Sequence, residues 1–456
     1  MRRAGWATRF GIYFAAIGSA FGLGSLWRFP YIVSENGGGA FVIVYFFLML
    51  FLGVPLLIGE LLIGKFTRRS LLAAQKQLVA QSQAKVEPSR AKRTILIRLM
   101  PFIAATALFC SIAILGYYSV VSGWVLFFLG KFLASPFVDL PHDFVTSSLV
   151  ELKASVPLQA TLAIAHIVVV GVIVAKGVEE GIERWVGLIM PIFVGILLVL
   201  VLKSLSMNSS IEALRYFMYP DFSKLTIGSL GAAVGQLCFT LSIGFGPMIT
   251  FGSYLRDDSL VPETGFRVAV FDALTAIIAG LLIFPLVFMG ASGIRHAHGP
   301  GLLFATVPQF LLNIDGGLIF GIFFFLCLYL AALGASIAIL ETVVANICEN
   351  TRLNRGKASF LAVSAGVVAA ILPATSSSAL EIIDLTVVNG IVPIVALLLC
   401  FVVNREVSEN AKRDEFFAMQ RADTSILYSH WRFLMKWIVP LVMIVALALQ
   451  AYAFFR

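Results

Sequence analysis

Runs of roughly 20 apolar residues recur from one end of this chain to the other, each long enough to cross about 30 Å of hydrocarbon as a helix. Eleven spans are read at 10–34, 40–66, 95–134, 157–175, 184–204, 229–255, 264–292, 316–348, 358–374, 380–404 and 431–455. Little is left for a large soluble domain, so residues 1–456 are taken as one transmembrane domain. Composition agrees: 59% of residues are hydrophobic, 13% are charged and mean hydropathy is +0.95, the balance of an all-α polytopic membrane protein. The third and eighth runs exceed the bilayer and are expected to continue as helix into water or to lie tilted.

Lysine and arginine concentrate on cytoplasmic loops. With the N-terminus inside, that face receives 25 of the 33 basic residues, which places the N-terminus in the cytoplasm and the C-terminus outside the cell membrane. The net charge of +8 follows from topology and implies no nucleic-acid partner. Met1-Arg2-Arg3 resembles the start of a signal peptide, but the run behind it is too long and ends in Trp27-Arg28-Phe29-Pro30 instead of a small-residue cleavage site. The five cysteines all fall in or at the end of apolar runs, so no disulfide framework is implied.

The first span is interrupted. GSAFGLGSLWRFP, Gly18 to Pro30, carries three glycines, an arginine and a proline at membrane depth. Unwound backbone survives there only where it lines a cavity or binds something, so the segment is a binding-site candidate. Other motifs carry less. GELLIGKF, Gly59 to Phe66, has a P-loop lysine but Phe66 where a Ser or Thr is needed. His296 and His298 have no Cys or carboxylate at ligand spacing, so a transition-metal site is not expected.

Charges inside spans are functional candidates, and five stand out: Arg28, Glu60, Asp272, Glu341 and Asp384. Glu60 and Glu341 read best as structural anchors, Glu60 bracing a broken helix. Arg28 and Asp384 sit near the outer ends of their spans and can pair. Asp272 has no cation nearby in sequence, which makes a bound cation an attractive partner.

A second interruption lies in the sixth span, where Gly244, Gly246 and Pro247 break FTLSIGFGPMITFGSY. Paired broken helices in corresponding places of two halves point to a secondary transporter with its site at the midplane. WATRFG, GSAFGLGSLWRFPY, ENGGGAF at Glu35 to Phe41 and GQLCFTLSIGFG at Gly235 to Gly246 together resemble the neurotransmitter:sodium symporter family and its bacterial LeuT-like amino-acid transporters. The resemblance implies a 5+5 inverted repeat with unwound first and sixth helices: a first repeat at about 8–204, a second at 229–404, and an additional helix at 431–455.

The same resemblance assigns roles by position. The N–H groups near Leu23 and Gly24, with the Tyr118 hydroxyl, would hold a substrate carboxylate, and Gly22 favours a substrate that brings its own. Carbonyls of Ala20, Phe239 and Thr240 and the Ser242 hydroxyl would meet its ammonium. Leu23, Ile114, Phe239, Phe245 and Ile339 would line an apolar pocket. A first sodium site falls on Ala20, Ser25, Thr240 and Asp272, all hard oxygen ligands. Chloride-dependent relatives carry a serine one turn after the aspartate position; Ala276 stands there, which implies chloride independence. A second sodium site would use carbonyls of Gly18, Phe21 and Ala331, but its two expected hydroxyls are replaced by Gly334 and Ala335. Water can substitute, the site can be weak, one sodium can suffice, or a shifted alignment can bring in Ser336. Arg28 and Asp384 would form the outer gate, with Tyr118 and Phe239 as an inner lid. Arg3 and Glu349, beside Trp6 and Tyr254, would form the cytoplasmic one.

The implied function is sodium-coupled uptake of a small, apolar amino acid by alternating access, with no enzymatic step. The partners are substrate and bilayer; the oligomeric state is open. Two alternatives stand: sodium- or proton-coupled transport of another zwitterion such as taurine, or a non-transporting sensor on the same fold.

Overall fold

The computed structural model describes residues 18, 22–84, 95–135, 144–288, 303–304, 307–312, 314–417 and 425–455. Arg3, Trp6, Ala20 and Phe21 lie outside the described residues. Among those described, nine helices are long and apolar enough to cross a membrane. In chain order, α1 (Phe29–Glu35) continues the π-helical turn Gly24–Arg28, before which Gly22 stands in a bend. Next come α2 (Gly39–Thr67), the shorter α3 (Leu71–Ala84), α4 (Ile95–Ala134), α5 (Val156–Ala175) and α6 (Val178–Leu205). The sixth expected span is two short helices, α7 (Ser229–Thr240) and α8 (Pro247–Gly252). Then follow α9 (Val261–Phe288), α10 (Gly317–Asn350), α11 (Arg355–Thr375), α12 (Ser378–Glu406), the short α13 (Glu409–Phe416) and α14 (Ile426–Ala453).

The long runs three and eight are single helices of 40 and 34 residues, about 60 and 50 Å at 1.5 Å per residue. Four π-helical turns share one cause. Gly24–Arg28, Met49–Gly53, Asp384–Ile391 and Leu434–Ile438 each end two residues before a proline: Pro30, Pro55, Pro393 and Pro440. Proline supplies no N–H and its ring collides with the carbonyl four residues back, so the preceding turn widens to i→i+5 bonding.

The core is built by helices that approach closely. Packing in a membrane relies on small residues at crossings. Helix α8 crosses α2 at Gly64 and Gly252: a Cβ on Gly64 would lie 2.0 Å from the Ile249 carbonyl oxygen, and one on Gly252 2.4 Å from that of Leu61. This contact seats the second half of the broken helix. Gly64→Ala is expected to cost about 1–3 kcal/mol through overpacking and to lower the detergent-solubilised melting temperature. Gly187→Ala, where an added Cβ meets nothing within 4 Å, should leave it unchanged.

Candidate functional site

Between α7 and α8 the backbone leaves the helix over residues 241–246, with Ser242, Gly244 and Gly246 at φ of 54°, 92° and 107°. Glycine tolerates positive φ at no steric cost, and Pro247 opens the next helix. Two freed backbone groups are taken up by side chains. Glu60 Oε1 accepts from Gly244 N at 2.7 Å, so Glu60 braces the break as expected. Ser111 on α4 donates to the Phe245 carbonyl.

The break before α1 is treated likewise. Leu23 N–H donates to the Tyr118 hydroxyl at 2.7 Å, and Gln236 Nε2 donates to the Gly24 carbonyl at 2.9 Å. Two of the groups expected to hold a carboxylate therefore face each other, with the Tyr118 hydrogen still able to donate. An added Cβ on Gly22 would sit 2.8 Å from the Tyr118 hydroxyl and 2.9 Å from Ala335 Cβ, so no larger residue fits there.

Gly22, Gly24, Tyr118, Phe239, Thr240, Ser242, Phe245, Ala335 and Ile339 surround one small cavity with about 10 Å³ open to water, room for about one water. Leu23 and Ile114 are buried but do not line it; Ala335 does.

Beside this cavity Asp272 is fully buried. Ser25 Oγ donates to its Oδ1 at 2.8 Å. The Tyr45 hydroxyl stands 3.3 Å from Oδ2 and 2.9 Å from Thr240 Oγ1. No cation among the described residues pairs with this carboxylate; its partners are three hydroxyls. Buried charges need a compensating charge or metal, and one carboxylate with hydroxyl oxygens is a donor set suited to an alkali cation. The residues present thus fit a sodium ion. Tyr45 was not anticipated from the sequence; a lone hydroxyl within an apolar helix was its one signal.

The second expected cation position has a different character. A Cβ on Gly334 would lie 2.7 Å from the Gly18 carbonyl oxygen, so α10 presses directly on the first span. Ser336 Oγ stands 2.8 Å from His166 Nε2 on α5.

Arg28 and Asp384 meet. Arg28 Nε and Nη2 each donate to the carboxylate at 3.0 Å, Nη2 also to Asn389 Oδ1 at 2.8 Å, and Nη1 to Gln236 Oε1. The guanidinium carbon lies 5.4 Å from the centre of the Phe239 ring. Gln236 and Asn389 were missed because their partners lie 208 and 361 residues away. At the opposite end of the molecule from this pair, where the cytoplasmic gate is expected, Glu349 accepts from Ser70 N and Oγ at 2.8 and 2.9 Å, heading α3. Tyr254 donates to Glu341 Oε1 at 2.6 Å, and Arg355 pairs with the same carboxylate.

Known proteins carry this architecture. The model of the sodium:neurotransmitter symporter family matches residues 3–157 and 149–455. The chain is 31% identical over 453 residues to an uncharacterized sodium-dependent transporter, YhdH, of Bacillus subtilis, with 96% of each chain covered. It is 26% identical over 396 residues to the sodium-dependent serotonin transporter of Drosophila melanogaster, covering 76% of this chain and 60% of that one. The crystal structure of MhsT in complex with L-phenylalanine superposes with a TM-score of 0.87 at 28% identity, over 98% of this chain and 100% of that one. With this fold and these matches, the chain is a sodium-dependent transporter and not an enzyme, and it belongs to the sodium:neurotransmitter symporter family.

Proposed function

We propose that the protein imports a small, apolar amino acid together with sodium, without chloride, by alternating access between two gates. The observation that carries this reading is the buried Asp272 carboxylate, ringed by the hydroxyls of Ser25, Tyr45 and Thr240, next to the cavity at Gly22, Gly24 and Tyr118. Sodium would be held by Ser25, Thr240 and Asp272, with the Ala20 carbonyl added. Its charge would offset that of Asp272 and fix the unwound backbone around the substrate. A fixed carboxylate at this position supplies the negative charge that a chloride ion would otherwise bring, with Ala276 offering no chloride ligand.

Gly22 leaves the carboxylate-binding role to Gly24 N–H and Tyr118, and so favours a substrate with its own carboxylate. Ser242 and the carbonyls of Phe239 and Thr240 would meet the ammonium. Phe245, Ala335 and Ile339 favour an apolar side chain, in keeping with the phenylalanine bound by MhsT. One sodium per substrate is the natural count, since Gly334 and Ala335 contribute no hydroxyl and α10 closes on Gly18, leaving only carbonyls of Gly18, Phe21 and Ala331.

The outer gate is the buried Arg28–Asp384 pair above the Phe239 ring. At the inner end, Glu349 with Arg3 would form one closure and Tyr254–Glu341–Arg355 a second. The distribution of basic residues supports a cytoplasmic N-terminus, an orientation in keeping with uptake into the cell.

Vesicles reconstituted with the purified protein are expected to accumulate labelled amino acid under an inward sodium gradient, at equal rates in chloride and in gluconate. Binding without accumulation would sink the transport reading and favour a sensor. Initial rate should rise with sodium with a Hill coefficient near one; a coefficient near two would show that the second site works. Asp272→Asn should lower uptake at least tenfold or make it chloride-dependent, and an indifferent variant would remove Asp272 from the cation site. Asp384→Asn leaves a buried guanidinium without its counter-ion, a loss of about 3–5 kcal/mol for a broken buried pair. Labelling of a cysteine engineered on the outer side of Phe239 should then accelerate, and an unchanged rate would argue against the gate.

A further inference from the structure

Three serines of α4 lie one above another in sequence, and one behaves differently. Ser119 and Ser122 turn their hydroxyls back onto the carbonyls of Leu115 and Tyr118 at 2.6 and 2.8 Å, the usual arrangement for serine inside a helix. Ser111 holds its own i−4 partner, the Ala107 carbonyl, only at 3.3 Å and donates across to the Phe245 carbonyl in the unwound segment. Ser111 is fully buried and does not line the cavity.

Phe245 does line it, and it stands between Gly244 and Gly246, both at positive φ. Peptide groups flanked by such glycines can rotate at little steric cost, so the sequence alone leaves the Phe245 ring undetermined. Two side chains from different helices hold the segment: Glu60 of α2 takes the Gly244 N–H, and Ser111 of α4 takes the Phe245 carbonyl. Only the second acts on the residue whose ring meets the cavity.

We propose that Ser111 is a specificity-determining positioning residue: by holding the Phe245 carbonyl it fixes the ring that limits how large a substrate side chain the cavity accepts. The inference rests on the amino-acid transport proposed above. Without the tether, the Gly-Phe-Gly segment yields to a bulky side chain; with it, small side chains are favoured.

The test is sodium-driven uptake of alanine, valine, leucine, phenylalanine and tryptophan by vesicles holding wild-type protein, Ser111→Ala, Ser111→Cys or Ser111→Thr. Each variant is compared with itself as a ratio of kcat/KM between substrates, so the amount of folded protein cancels. Ser111→Ala should raise the ratio of the bulkiest transported substrate to alanine about fivefold, the worth of one neutral hydrogen bond, with the change carried by KM. Ser111→Cys, a weak donor of similar size, should move the ratio the same way, and Ser111→Thr, which keeps the hydroxyl, should restore it. A uniform fall for all substrates, or an unchanged ratio beside a working wild type, overturns the role of Ser111 and leaves the transport reading intact. A wild type that moves none of these amino acids overturns both.

Discussion

A backbone N–H or C=O in hydrocarbon must find a partner within the protein, and the centre of this molecule is arranged around that demand. Breaking two helices frees backbone groups at membrane depth. Leu23 N–H goes to Tyr118, the Gly24 carbonyl to Gln236, Gly244 N–H to Glu60 and the Phe245 carbonyl to Ser111. Each partner comes from another helix. The unwound segments are therefore positioned by side chains of α2, α4 and α7, and the cavity between them inherits that geometry.

Two buried charges near the breaks are handled in opposite ways. Arg28 has its counter-ion in Asp384 and two amide oxygens besides, so all three guanidinium nitrogens are engaged. Breaking a buried pair is costly, so this contact strongly favours staying formed, as the outer gate proposed above would require. Asp272 has hydroxyls and no cation. A carboxylate in that state would be stabilised by a bound cation, the role proposed for sodium above. Gln236 joins the Arg28 cluster to the start of the first span, since one end of its amide holds Arg28 and the other holds the Gly24 carbonyl.

Gly334 shows how a missing side chain changes packing. With no side chain there, the backbone of α10 comes against the Gly18 carbonyl, and the neighbouring Ser336 hydroxyl stands with His166 on α5. Similar reasoning governs the crossing of α2 and α8, where Gly64 and Gly252 allow backbone contact. Small residues set where these helices can touch, and the polar groups of the site then fall within reach of one another.

Much of this was legible in the sequence because the bilayer makes local composition decisive. Apolar runs located the spans, glycine and proline at membrane depth located both breaks, and charges within spans marked Arg28, Glu60, Asp272 and Asp384. The absence of hydroxyls at 334 and 335 drew its meaning from the family resemblance and not from local composition. What only the tertiary structure decided is the set of partners. Tyr45, Gln236, Asn389, Ser111 and Arg355 are ordinary residues in their own segments. They gain their roles from groups on other helices, up to 361 residues distant for Asn389. Leu23 and Ile114 fell away from the cavity lining for the same reason. Hydrophobic period and helix-breaking residues act through neighbours in the chain, whereas a hydrogen bond between helices depends on tilt, rotation and close approach, which no local pattern encodes.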